Sequence, residues 1–373
     1  MIEERDFWVV WSRVTGVGPI LLRRIAQYFG SLAEAWQATA HELVNVEGLG
    51  WQTATLIVEA RSQLTPTAIA QQHQQDNPCF WTPADTDYPQ LLLEIPDSPP
   101  ILYYRGEVQP EDNRGATLLV AIVGTRNPSE YGRRWTQKLS TALTQAGFVV
   151  VSGLAQGVDT DAHRSCLNAG GRTIAVLGTG VDVVYPESNR GLAKQIAHQG
   201  LLLSEYASGT QPDRAHFPRR NRIIAGLSRA TLVLEAPRKS GALITARLAN
   251  EYGREVYGLP GVLDNPRALG CLELLNCGAH LILGEDELLG ALMGLPHFQT
   301  ASARSSSVNN TQLSLDLPEE WQFILHAIST EPIAIDRIVQ QVGLSTGSVL
   351  SVLAQLELMG LVSQLPGMRY QRA

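Results

Sequence analysis

The segment LLVAIVGTRNPSEYG runs from Leu118 to Gly132. Its apolar part, Leu118 to Val123, is short, aliphatic and bounded by turn residues. That is the pattern of a strand buried on both faces, as in a parallel sheet. In α/β proteins, ligands bind beyond the carboxyl ends of such strands. Here that end carries Gly124, Thr125 and Arg126. Glycine lets a ligand approach the backbone, and arginine offers a planar fork to phosphate. The segment predicts a site that binds a polyanion and does no bond chemistry.

Similar apolar runs recur at 148–152, 173–178, 201–205, 231–235, 255–259 and 280–283. Between them lie stretches of helical length, Tyr131–Ala146, Val158–Ala169, Ser188–His198, Phe217–Leu227, Ser240–Tyr252 and Pro266–Cys277. Strand and helix alternating in this way predict an α/β fold, a Rossmann-like, doubly wound and mostly parallel sheet with right-handed crossovers. Six prolines between Pro78 and Pro100 mark the lead-in to this core. Short apolar pieces among them, Cys79-Phe80-Trp81 and Ile101-Leu102-Tyr103-Tyr104, predict one or two edge strands.

Residues 1–64 read as a small helical N-terminal domain, closed by the Gln-rich stretch Gln63–Asp76. Its two glycine turns, Thr15-Gly16-Val17-Gly18-Pro19 and Glu47-Gly48-Leu49-Gly50, each open a helix and resemble helix-hairpin-helix elements. Such turns present free backbone N–H groups to a phosphate, or simply join packed helices. Beyond the core, 78–295, residues 297–312 are polar and Ser/Asn-rich and read as a linker. Residues 313–373 read as three helices, Trp321–Ile328, Ile335–Gln341 and Thr346–Met359, followed by a hairpin turning at Pro366-Gly367, the plan of a C-terminal winged-helix domain.

The whole chain agrees with a soluble protein. Of its 373 residues 44% are hydrophobic and 17% charged. The N-terminus, MIEERDFWVVW, is charged ahead of a short apolar run, unlike a secretory signal. No segment reaches the ~20 apolar residues of a bilayer span. The four cysteines are scattered without metal spacing, which fits a reducing cytoplasm. The net charge of −7 argues against a nucleic-acid binder as a sum, but binding depends on where cations cluster.

They cluster at the strand ends. Arg214-Ala215-His216-Phe217-Pro218-Arg219-Arg220-Asn221-Arg222 holds four arginines and one aromatic. Arginines grip phosphate with two hydrogen bonds, and Phe217 can stack on an unpaired base. A bland alternative has these arginines tying down Glu205 and Glu235. Arg126, Arg238 and Lys239 also fall at strand ends, which a parallel sheet brings to one edge. The turns Ser152-Gly153-Leu154-Ala155-Gln156-Gly157 and Gly178-Thr179-Gly180 add anion-binding backbone. Ser240 suits a helix cap, and the N–H groups behind it suit a phosphate.

Other chemistries find less support. Gly178-Thr179-Gly180 lacks the third glycine of a dinucleotide fingerprint, since Val183 stands there. A P-loop and a nucleophile elbow are absent. Asp159, Asp161 and His163 lack a further group at ligand spacing, so no metal or other cofactor is expected. The competing reading is a nucleotide or nucleoside-phosphate hydrolase. Enzymes of that kind on similar sheets carry a P-G-G-x-G-T loop, whereas only Pro260-Gly261 occurs here.

AIVGTR at 121–126, SGLAQGVDTDAH at 152–163, GTGVDVVYPESN at 178–189, SEY at 204–206, FPRRNRIIAGLS at 217–228 and SGALITA at 240–246 together resemble the core of the DNA processing protein A (DprA/Smf) family. The resemblance implies a non-enzymatic protein that binds incoming single-stranded DNA in natural transformation (competence). It also implies protection of that DNA, help in loading RecA for recombination, and action as a homodimer. The residues expected at the DNA are Gly124, Thr125, Arg126, Ser152, Gly153, Gly157, Arg214, Phe217, Arg219, Arg220, Asn221, Arg222, Lys239, Ser240 and Thr245. Ahead of the last strand, family members often carry a Gly-x-Asn pair where this chain has Gly270-Cys271-Leu272.

Two expectations concern the periphery. From Leu315 to Ala373 six acidic residues face three arginines, which is wrong for a winged helix lying in a DNA groove. The apolar segment Leu281–Leu292 is the candidate surface for a second copy.

Overall fold

The computed structural model describes residues 2–295, 318–328, 333–358, 362–365 and 369–372. The chain divides into two compact units, Met1–Thr300 and Ala301–Ala373. The expected linker 297–312 and the turn at Pro366-Gly367 lie outside the described residues.

The first unit is built on a nine-stranded sheet. Its strands are β1 Phe80–Trp81, β2 Leu102–Gly106, β3 Leu119–Val123, β4 Val149–Ser152, β5 Thr173–Leu177, β6 Leu201–Ser204, β7 Ala230–Val233, β8 Glu255–Gly258 and β9 His280–Leu281. Their order is β1-β2-β6-β5-β4-β3-β7-β8-β9. From β6 through β9 every pairing is parallel, while β1 and β2 join antiparallel at one edge. The expected doubly wound α/β sheet is therefore the observed one. The proline-rich lead-in supplies the edge strands and, unexpectedly, a short helix, Gln90–Glu94.

Strand β3 explains why the sheet is doubly covered. Leu119, Ala121 and Val123 point into one core with Ile223, Ile224 and Ala246. Val120 and Ile122 point into the other with Leu139, Val158 and Leu292. A strand alternates its side chains between faces, so an all-apolar strand needs helices on both. Helices Glu130–Gln145 and Val158–Asn168 lie on one side; His216–Leu227 and Gly241–Glu251 lie on the other. The direction of winding reverses at β3, whose neighbours are β4 and β7. That reversal opens a crevice at the carboxyl ends of β3 and β7.

The last helix of this unit, Glu285–Met293, was not expected. Acidic residues occupy its first turn, where the helix dipole favours them. It bears on the candidate surface Leu281–Leu292: Leu288 and Leu292 are core residues, while of the large apolar side chains there Leu281 and Leu283 are exposed.

The N-terminal helices close over their own core, which includes Trp11, Leu22, Ile25, Leu43 and Ile57. Both glycine turns open helices as expected, with Gly18 capping Pro19–Phe29 and Gly50 capping Trp51–Ser62. The Gln-rich stretch is itself helix Pro66–Asp76. Its buried His73 packs on Phe80 and Tyr103, joining the helices to the sheet edge.

The second unit is the winged helix. Helices Glu319–His326, Ile335–Val342 and Thr346–Leu358 surround a core of Ile324, Ile338, Leu353 and Tyr370. Strands β11 Val362–Leu365 and β12 Arg369–Arg372 form the expected hairpin; β10 Ile333–Ala334 adds a third, unexpected strand beside β12. Ser345 caps the third helix, accepting from the Ser348 N–H at 3.2 Å.

Candidate nucleic-acid interface

The crevice at the winding reversal encloses about 660 Å³. Gly124, Thr125 and Arg126 approach it from the end of β3, and Ser240, Gly241 and Thr245 from the helix after β7. Phe217, Arg220, Asn221 and Ile224 reach it from the helix between β6 and β7, and Arg214 from the turn that precedes this helix. Along that helix, 217, 220/221 and 224 share one stripe, as helical spacing requires.

The loop carrying Arg126 is held from two sides. The Thr125 N–H donates to the Glu235 carbonyl at 2.6 Å, and the Val158 N–H donates to the Thr125 carbonyl at 3.2 Å. The buried Glu235 carboxylate accepts from the Ser129 N–H at 2.8 Å, the Ser129 hydroxyl at 2.6 Å and Asn265 Nδ2 at 3.2 Å. Gly157 sits against this loop with φ +79°, and a side chain there would lie 2.6 Å from the Arg126 carbonyl carbon. Arg126 is left exposed, its guanidinium carbon 6.0 Å from the centre of the Phe217 ring. The Tyr185 ring packs beside Phe217, its centre 5.5 Å away. Cation and aromatics in this arrangement suit a strand whose bases stack while its phosphates meet arginine.

Arg220 has a different part. It is buried, and its guanidinium donates to the Gly153 carbonyl at 2.6 Å and to the Val176 carbonyl. Burial pushes its pKa down to about 10, so it stays cationic at neutral pH. It forms the floor of the crevice more than a free hand for phosphate. Gly153 is the residue that makes room for it, since any Cβ there would collide with the guanidinium. Below lies Asp159, also buried, which accepts from the N–H groups of Gly153 at 3.2 Å and Ala155 at 3.3 Å. Burial pushes the Asp159 carboxyl up, against the lowering pull of Arg220 and those hydrogen bonds. Both of these bonds fall on its Oδ2, and the residue lines the crevice floor.

Several expected contacts stand elsewhere. Arg222 is buried on another face of the helix, paired with Glu205 at 2.5 Å and Asp97 at 3.5 Å. Arg222 ties down Glu205, as the bland alternative has it, whereas Glu235 is satisfied without any arginine. Ser152 is fully buried, its hydroxyl donating to the Ile122 carbonyl at 2.6 Å. Arg219 and Lys239 are exposed but do not line the crevice. Gly153 lines a small adjoining cavity of about 70 Å³, together with Arg126, Gln156, Tyr185 and Phe217. Gly124 fits tightly over Val158, with a Cβ position only 2.6 Å from Val158 Cγ2, so its smallness serves packing. Ser240 caps its helix, accepting from the Ala242 N–H at 3.3 Å.

Tyr185 and Ile244 line the crevice and are 44% and 37% exposed, yet neither stood out in the sequence. Among the described residues, no group of three or more His, Cys, Asp and Glu is placed to hold a metal ion. No helix among them is long and apolar enough to cross a membrane.

Comparison with known proteins fits this geometry. Residues 79–293 match the family described as DNA recombination-mediator protein A, and residues 310–368 match the DprA winged helix domain. A relative designated Protein Smf from Synechocystis is 48% identical, with 99% of each chain covered. The X-ray structure of DNA processing protein A from Streptococcus pneumoniae superposes with a TM-score of 0.67 at 34% identity, covering 78% of this chain and 98% of that one. A Helicobacter pylori DNA processing protein A, whose structure is described for its single-stranded DNA binding mode, superposes with a TM-score of 0.52 at 33% identity. It covers 57% of this chain and 95% of that one.

Proposed function

The chain belongs to the DNA recombination-mediator protein A family, and from that premise we propose that it binds single-stranded DNA in the crevice between β3 and β7. The observation that carries this is the exposed Arg126 guanidinium set over Phe217, with the Tyr185 ring packed beside it. Unpaired bases can stack on the open faces of these aromatics, whereas bases paired within a duplex cannot. The backbone runs past Arg126, Arg214 and the N–H groups that follow Ser240, which act on charge and so carry no sequence information.

The role is binding without bond chemistry. The one carboxylate at the floor, Asp159, is spent on backbone N–H groups and beneath Arg220. We read the protein as a cytoplasmic homodimer that shields incoming DNA in natural transformation and hands it to RecA. The exposed Leu281 and Leu283 beside the edge strand β9 are the surface we assign to the second copy.

Filter binding of oligo(dT) at two salt concentrations tests the central reading. Tight binding that weakens steeply with salt supports it; retention too weak to measure at low salt overturns it. Incubation with a panel of nucleotides tests the absence of chemistry, because turnover of any of them contradicts it.

A further inference from the structure

A second cleft, of about 600 Å³, opens on the far side of Tyr185. It lies between strand β2, helix Arg190–Gln199 and the loops at 182–185 and 211–212. Its volume falls in the range of about 300–1,000 Å³ typical of built ligand sites. Tyr185 lines both this cleft and the crevice between β3 and β7, so the two share a wall.

The charges of the second cleft are unevenly committed. Arg190 pairs with Glu187 at 2.9 Å, but both side chains are more than half exposed, and such a pair is weak. The Asp182 carboxylate accepts the Gly209 N–H at 2.9 and 3.0 Å, which occupies it locally. Arg105 and Lys194 are exposed and have no ion-pair or hydrogen-bond partner among the described residues. Two uncommitted cations and a half-exposed aromatic therefore line a cleft that shares Tyr185 with the first.

We propose that this cleft is a second subsite for the same DNA strand. The strand leaves the crevice over Tyr185 and lays its next phosphates along Arg105, Lys194 and Arg190. The inference rests on the proposed binding of single-stranded DNA in the crevice and extends its footprint. Along this path two aromatics, Phe217 and Tyr185, lie between cations, Arg126 on one side and Arg190 and Lys194 on the other, and a sequence-tolerant groove combines both kinds of group.

The test is fluorescence anisotropy with oligo(dT) of about 4 and about 16 nucleotides, spanning the range of short strand-binding sites. Four proteins are compared: the parent, Arg126→Ala, the double variant Arg105→Ala/Lys194→Ala, and a control, Arg114→Ala/Arg134→Ala, that removes two exposed cations elsewhere. With the longer strand, the cleft variant is expected to bind several-fold more weakly. The slope of log affinity against log salt should be shallower by about 1.4, since each lost phosphate contact on a single strand is worth about 0.7. The advantage of the longer strand over the shorter should shrink. Equal loss in the control, or parent-like binding by the cleft variant while Arg126→Ala is weakened, overturns the second subsite and leaves the crevice standing. Parent-like binding by Arg126→Ala as well overturns both.

Discussion

The Arg126 guanidinium carbon lies 6.0 Å from the centre of the Phe217 ring. One residue lies in the loop that follows β3 and the other in the first turn of the helix between β6 and β7. Neither segment alone makes a site. Together they place a phosphate ligand and a stacking surface within one nucleotide of each other.

That pairing separates two contributions. Replacing Phe217 with Ala removes stacking, worth about 1–3 kcal/mol per base, and should leave the salt dependence of binding unchanged. Anisotropy titrations at several salt concentrations check this; a shallower slope in Phe217→Ala contradicts the assignment of stacking.

Arg220 and Arg214 should part company. Arg220 holds two buried carbonyls over Asp159, so Arg220→Ala leaves a buried carboxyl without its counter-charge and is expected to cost about 3–5 kcal/mol of stability. Arg214 is exposed, and Arg214→Ala should melt like the parent yet bind DNA more weakly. Thermal melting of both variants decides it, and equal melting temperatures refute the structural role of Arg220.

Gly157 couples fold to site. Its φ of +79° and its closeness to the backbone of Thr125 and Arg126 leave no room for a side chain. Gly157→Ala should destabilise by more than about 1 kcal/mol and weaken DNA binding by displacing the Arg126 loop. Binding and melting both at parent level contradict this.

Acid should weaken the fold through His163. Burial, aided by Arg220, pushes its pKa from the ordinary 6.5 down to about 3. The unfolded chain therefore takes up a proton first, and this stabilisation, whole above pH 6.5, is lost as pH falls toward about 3. Asp159, whose carboxyl is raised by burial, acts with the opposite sign. Comparing the parent with His163→Gln cancels that contribution. Urea unfolding from about pH 6 to about pH 4 should show the parent losing up to about 1.4 kcal/mol per pH unit more than the variant. Parallel curves refute it.

Much of this architecture was readable in advance, and the reasons are physical. Parallel strands buried on both faces are unbroken apolar runs ended by glycine, as at Val149–Gly153 and Thr173–Gly178. The strand-end position of Gly124-Thr125-Arg126 followed from the same pattern. What the pattern could not sort was the arginine cluster. Residues two apart on a helix point about 200° from each other. Arg220 therefore turns to the crevice floor and Arg222 to Glu205. Ser152 looked like a backbone anion site because burial is invisible in a local motif. Tyr185 was passed over for the converse reason, since nothing local shows that this aromatic stays exposed. The two-residue strand β10 is too short to carry any periodicity.

The most direct measurement is the salt dependence of oligo(dT) affinity for the parent and the double variant Arg126→Ala/Arg214→Ala, between about 50 and about 200 mM salt. If the crevice holds the strand, the variant binds more weakly at every salt concentration and its log–log slope is shallower by about 1.4, two phosphate contacts at about 0.7 each. A variant with the parent's affinity and slope would place the DNA somewhere other than the crevice between β3 and β7.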